Sequence, residues 1–114
     1  MKIVYLASPY RADSEFDVYL NMHRAHVMAR RIWKMGAVCI SPCSNTHNFG
    51  GMDVLEAHWL NGDLEILNRC DAIFLNDGWE YSVGSIAEKE FANGHGIPIF
   101  TDINELEKWI KNTK

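Results

Sequence analysis

The sequence predicts an α/β domain: a doubly wound, parallel sheet of four to five strands with helices on both faces. Three observations predict it. Short β-branched and aromatic runs alternate with longer segments whose apolar residues recur every three or four positions. The short runs are apolar throughout rather than at every second residue, as strands buried on both faces require. The segments between them are long enough for the right-handed crossovers that parallel strands need.

Each element can be justified in order. Lys2 to Ala7 (KIVYLA) is a buried strand stopped by Ser8-Pro9. Val18, Met22, Ala25, Ala29 and Ile32 form the apolar stripe of a helix, with Arg24, Arg30, Arg31 and Lys34 off the stripe and Gly36 as its stop. Ala37 to Ser41 (AVCIS) is a second strand, and Pro42 to Gly51 is turn-rich. Helical period returns with Leu60, Leu64 and Leu67, before a third strand at Asp71 to Asn76 (DAIFLN). A glycine-containing loop leads to a helix from about Val83 to Asn93, and Ile97 to Phe100 (IPIF) is a fourth strand. Asp102 caps a closing helix to Lys111, with Leu106, Trp109 and Ile110 inward. The natural closure is a flavodoxin-like sheet, with ligands beyond the carboxyl ends of its strands. The loops at that edge begin at Ser8, Pro42, Asn76 and Thr101.

At 114 residues the chain is expected to be one domain, 1–114, without repeats or linkers. A formal charge of −4 leaves no basic footprint for duplex nucleic acid. A single nucleotide remains compatible with one loop and one arginine. Cys39, Cys43 and Cys70 are odd in number and lack metal-like pairing, so they read as buried thiols in a reducing compartment. The first apolar run is too short for a signal peptide or a membrane span, and a cytoplasmic protein is expected. His23 and His26 stand three apart on a helix, but no further ligand joins the five histidines, so no metal is assigned.

Two loops and one helix offer chemistry. Ser8-Pro9-Tyr10-Arg11 lacks G-x-G-x-x-G, which argues against a dinucleotide cofactor. It supplies a hydroxyl, a phenol and a guanidinium suited to a sugar or phosphate, although a proline turn with solvent-facing polar residues fits equally well. After the third strand come Trp79, Glu80, Tyr81, Ser82, Val83, Gly84 and Ser85. A glycine at a helix start gives anions access to free N–H groups, and Trp79 or Tyr81 can cover a base. Ser85-Ile86-Ala87-Glu88 also fits a capping box, and on local pattern alone that is the better account of Glu88. Asp63 shares a helical face with Glu56, and alone it reads as an ordinary solvated acid.

The arrangement Asn61-Gly62-Asp63-Leu64, Cys70-Asp71-Ala72-Ile73, Ser82-x-Gly84-x-x-x-Glu88-x-x-x-Ala92 and Gly96-Ile97-Pro98-Ile99 resembles the nucleoside 2-deoxyribosyltransferase superfamily. That superfamily includes 2′-deoxynucleoside 5′-phosphate N-hydrolases and small phage and bacterial relatives. The opening Val4-Tyr5-Leu6-Ala7-Ser8-Pro9-Tyr10-Arg11 is similar too, so the likeness covers roughly residues 2 to 100. It implies Glu88 as the nucleophile, Asp63 near the sugar and leaving base, Tyr5 at the sugar, and Arg11 and Ser82 at a 5′-phosphate. Nucleoside transferases commonly place an acid where Ser82 stands, which tilts the expectation toward a phosphorylated substrate. The family loop often has glycines where Ser8-Pro9-Tyr10 stands here.

The expected reaction is cleavage of the N-glycosidic bond of a (2′-deoxy)nucleoside 5′-monophosphate through a glycosyl-Glu88 ester, with Asp63 assisting the leaving base. Ser8, Tyr10, Trp79 and Gly84 complete the expected substrate contacts. No cofactor is required, no membrane or duplex nucleic acid is expected, and the resemblance implies a homodimer or higher homo-oligomer. Base exchange between unphosphorylated nucleosides is the alternative, followed by a non-catalytic nucleotide-binding module.

Overall fold

A computed structural model describes residues 1–113. Strand β1 (Ile3–Ala7) lies between β2 (Val38–Ile40) and β3 (Ala72–Leu75), and β4 (Ile99–Phe100) flanks β3. The four strands run parallel in the order β2-β1-β3-β4. Tyr5 is opposite Ile40 on one side and Ile73 on the other, so the middle of β1 is enclosed on both edges. The expected flavodoxin-like winding is therefore present, with the lower of the two expected strand numbers.

The alternation of side chains along β1 divides the core into two layers. Val4 and Leu6, with Cys39 and Phe74, pack under helix α1 (Glu15–Lys34) and helix α5 (Ile103–Asn112). There they meet Ala25 and Ile32 of α1 and Leu106 and Ile110 of α5. Tyr5 and Ala7, with Ile73 and Leu75, face the other way. They meet Leu67 of helix α3 (Glu56–Asn68) and Ala92 of helix α4 (Val83–Gly94).

Local chemistry explains the helix ends. Ser14 caps α1, its Oγ accepting the Asp17 N–H at 3.1 Å. The helix thus starts ahead of Val18, where the apolar stripe begins. It ends before Gly36, whose φ of +91° suits a residue without Cβ. Asp102 caps α5 by accepting the Asn104 N–H at 2.8 Å, as expected.

Three details differ from the sequence reading. Pro42–Thr46 is a short helix, α2, within the segment read as turns, with proline at its start and no side-chain cap. The expected stripe of Leu60, Leu64 and Leu67 is incomplete, because Leu60 is exposed while Leu67 is buried. The capping box at Ser85 is absent. Ser82 is the N-cap, its Oγ accepting the Ser85 N–H at 3.2 Å, so α4 begins at Val83, where the helix was expected, and Glu88 lies beyond the capping turn.

Candidate functional site

The sheet order reverses direction at β1 and β3, and the loops leaving their carboxyl ends form the crevice where such folds bind ligands. The two loops are bound tightly together. Asn76 is buried; its Nδ2 donates to Ser8 Oγ at 3.1 Å and its Oδ1 accepts the Asp77 N–H at 3.1 Å. Gly78 has φ +88°, and a Cβ there would stand 3.3 Å from Pro9 Cγ. Both the backbone sign and the contact favour glycine at this position. Beside the pinch lies an open cleft of about 360 Å³, lined in part by Ser8, Asn21, Arg24, Gly78 and Tyr81.

The acidic residues gather on the α3–α4 side of the sheet. Glu88 sits on the buried face of α4, with 8% of its surface exposed. The Tyr5 phenol, rising from the middle of β1, donates a hydrogen bond to Glu88 Oε2. Burial pushes the Glu88 carboxyl up to about 7, the Tyr5 hydrogen bond opposes that rise, and the Asp63 charge adds to it. Burial likewise raises the half-buried Asp63 on α3. Tyr5 is raised first by burial, then by the adjacent Glu88 charge, and so stays a protonated donor. One tyrosine and two carboxylates, far apart in sequence, therefore form one electrostatic unit. At neutral pH such a unit can hold the Glu88 carboxyl partly ionised.

The remaining expected site residues separate into groups. Ser8 belongs to the pinched loop and the cleft. Tyr10 turns to His47: its hydroxyl and Nδ1 are 2.8 Å apart, and the rings meet edge to face. Arg11 is exposed and forms an ion pair with Glu56 at the start of α3. Trp79 packs against the α3–α4 core, with the Lys89 ammonium 5.1 Å from its ring centre, so it is occupied in packing. Tyr81 is 91% exposed. Ser82 caps α4, and Gly84 lies in the first turn with open space where a Cβ would be.

Sequence reasoning did not single out Asn76, Arg24 or the partnership of His47 with Tyr10. A polar residue closing an apolar strand is the only local sign of Asn76, and the other two depend on tertiary placement. Burial raises the thiols of Cys39 and Cys70, to about 12 and about 11, so they remain protonated. Among the described residues, no group of three or more His, Cys, Asp or Glu converges as metal ligands, and no helix is long and apolar enough to cross a membrane.

Solved structures that share this fold include two deoxyribosyltransferases. A 2-deoxyribosyltransferase from Bacillus psychrosaccharolyticus aligns with a TM-score of 0.67 at 18% identity, covering 92% of this chain and 90% of that one. A 2-desoxiribosyltransferase from Leishmania mexicana aligns with a TM-score of 0.54 at 21% identity, covering 87% of this chain and 62% of that one. This chain thus spans less than two thirds of the Leishmania chain. At these identities the likeness is one of fold, and it is the nucleoside 2-deoxyribosyltransferase-like fold that the sequence motifs resemble. No curated protein matches the chain in sequence. A family model does match, over residues 2–103, and the chain belongs to that family, described as Domain of unknown function (DUF1937).

Proposed function

We propose that this chain is an enzyme that cleaves the N-glycosidic bond of a (2′-deoxy)nucleoside 5′-monophosphate, with Glu88 as the nucleophile. The observation that carries the reading is the buried Glu88 carboxyl, held by the Tyr5 phenol and electrostatically coupled to Asp63. Loss of the base leaves an oxocarbenium-like sugar carbon, and a carboxylate facing that carbon captures it as a glycosyl ester. Asp63 gives a proton to the departing base; water then attacks the same carbon, yields its proton to the Asp63 carboxylate, and releases the sugar and the Glu88 carboxylate. Two displacements at one carbon retain its configuration. Tyr5 positions Glu88 and favours its ionised form. This chemistry needs no metal or organic cofactor.

Support for the phosphate is local. The capped first turn of α4 presents backbone N–H groups at Val83 and Gly84, suited to an anion. Ser82 still has a hydroxyl proton to donate. Arg11 would join them by leaving Glu56, an exposed partner that costs little to exchange. Base exchange is the second reading, favoured by the two deoxyribosyltransferases that share the fold.

A panel of nucleosides and their 5′-monophosphates, assayed for released base with and without a second free base, tests both. Release without an acceptor, and faster from monophosphates, supports the hydrolase. Turnover only with an acceptor assigns exchange. Binding without release from any substrate leaves a nucleotide-binding module and ends the enzymatic reading.

A further inference from the structure

Helix α4 carries one buried polar side chain that the proposed reaction does not use. Ser85 has 1% of its surface exposed. Its N–H is taken by Ser82 Oγ at 3.2 Å. Its own hydroxyl has no hydrogen-bond partner, and among the described residues it is the one buried side-chain polar atom without one. A helical serine often returns its proton to the carbonyl four residues back, here that of Tyr81, and Ser85 does not. Folded proteins rarely leave such a group unpaired, because the hydration lost on burial is then not replaced.

The position of this hydroxyl points to what it meets. Ser85, Glu88 and Ala92 form the buried face of α4. Residues three apart are neighbours on a helical face, and Ser85 stands about 4.5 Å along the axis from Glu88. Helix α4 begins after the chain has left the carboxyl end of β3, so Ser85 lies on the open side of Glu88. Helical side chains lean toward their N-terminus, which aims this hydroxyl at the capped first turn. Along the axis, Ser85 thus stands between Glu88 and the N–H groups of Val83 and Gly84.

We propose that Ser85 hydrogen-bonds the 3′-hydroxyl of the nucleotide and restricts the substrate to mononucleotides in which that position is free. The inference rests on the proposed activity, which puts the anomeric carbon at Glu88 and the 5′-phosphate at the first turn of α4. The sugar then spans the turn that Ser85 occupies. In a β-nucleotide the base and the 5′ arm rise from one face of the sugar, and the 2′ and 3′ substituents from the other. A carboxylate displacing the base approaches from that second face. The 2′ position lies beside the anomeric carbon, and the 3′ position one carbon further toward the phosphate arm. Ser85 is displaced from Glu88 in the same direction. A hydroxyl there can accept the serine proton or give its own, so the ligand supplies the partner that the protein does not. Entry requires the Trp79–Tyr81 turn, which packs against α4, to move outward. A 3′-phosphate, or the next nucleotide of a strand, would press bulk and charge against a buried face. Free mononucleotides fit this site, and nucleotides within a nucleic acid do not.

Calorimetric titration of Glu88→Gln tests this without consuming the ligand. The probes are the four 2′-deoxynucleoside 5′-monophosphates, their 2′,3′-dideoxy counterparts and their 3′,5′-bisphosphates. A monophosphate with a 3′-hydroxyl should bind about tenfold more tightly than its dideoxy counterpart, the factor that one good hydrogen bond supplies. The bisphosphates should bind more weakly than either. Adding Ser85→Ala should close the gap by weakening the hydroxyl form alone. In the otherwise wild-type chain, Ser85→Ala should leave the urea midpoint at or above its original value, because no bond within the protein is lost. Equal affinities for the two monophosphates, or a gap that persists in Ser85→Ala, overturn the proposal. So does a lowered urea midpoint, which would reveal a structural bond. Failure of every monophosphate to bind overturns it together with the phosphate reading. Base release by the wild type separates the two conclusions. A gap without release keeps the sugar contact and ends the proposed activity, and release without a gap does the reverse.

Discussion

The two faces of the sheet are built from the same strands but used differently. Toward α1 and α5, strand β1 sends Val4 and Leu6 into a layer of apolar side chains. Toward α3 and α4 it sends Tyr5, whose ring packs with Leu67 and Ile73 while its hydroxyl meets Glu88. Burial on the first face removes apolar surface from water and stabilises the fold. On the second face, equal burial holds a carboxyl well above its ordinary range and opposes folding at neutral pH. One face holds the molecule together, and the other uses that stability to keep an acid where water would not leave it.

Glu88→Gln is the sharpest test of this contrast. Under the proposed mechanism it should lower turnover by about 10³-fold or more, equivalent to roughly 4 kcal/mol of barrier. Its effect on stability has the opposite sign. Folding raises the carboxyl from 4.5 to about 7, so the folded state binds the extra proton between those values. The wild type should therefore be most favoured below pH 4.5 and lose stability as pH rises through 7. The glutamine variant lacks that slope and should gain on the order of 2 kcal/mol over the wild type at pH 8. Urea midpoints across pH measure it; parallel curves for the two proteins would remove the electrostatic role assigned to Glu88.

Leu106→Ala probes the apolar face. Leu106 is fully buried among α1 and strand side chains, and its truncation should cost about 2–5 kcal/mol. Turnover per folded molecule should not change. A large kinetic effect would mean that the two faces are not independent.

Tyr5→Phe should act between these extremes. It removes the one hydrogen bond that lowers the Glu88 pKa, so the acidic limb of the pH–rate profile moves above 7. Turnover at pH 7 should fall roughly tenfold and recover in part at higher pH, since one pH unit corresponds to one decade. A uniform loss at every pH would make Tyr5 a substrate contact rather than a positioning residue for Glu88.

The smallest effect is expected from Arg11→Ala. Its exposed pair with Glu56 contributes about 0–1 kcal/mol, so stability should barely move. If Arg11 leaves Glu56 for a phosphate, the variant loses most of its preference for monophosphates over nucleosides. An unchanged preference would assign any phosphate contact to the start of α4 alone.

Legibility in the sequence divides along physical lines. The four strands and α5 were readable because uniform apolar runs and a clear N-cap at Asp102 leave little choice of structure, whereas α4 was placed along the chain but its cap was misassigned to Ser85. The start of α1 was hidden by Phe16 and Tyr19, apolar residues on its outer face that blur the stripe. Helix α2 carries only Pro42 as a signal, with no period and no capping side chain. Glu88 shows the limit of local reading. Three residues after a serine it fits a cap, and only the packing of α4 over β1 turns it toward Tyr5. The pairing of Arg11 with Glu56 likewise depends on two segments brought together by the fold. The resemblance named Tyr5, Asp63 and Glu88 together, but how the three share charge follows from burial, which no spacing reveals.

The pairing of Glu88 with Tyr5 has a consequence for how such a protein changes over time. Its partner sits in the middle of a central strand, enclosed by β2 and β3, rather than on a loop. Loops at the carboxyl edge can therefore be lengthened, shortened or replaced without disturbing the acid. New ligands become accessible through the loops while the Tyr5–Glu88 pair is inherited unchanged with β1 and α4.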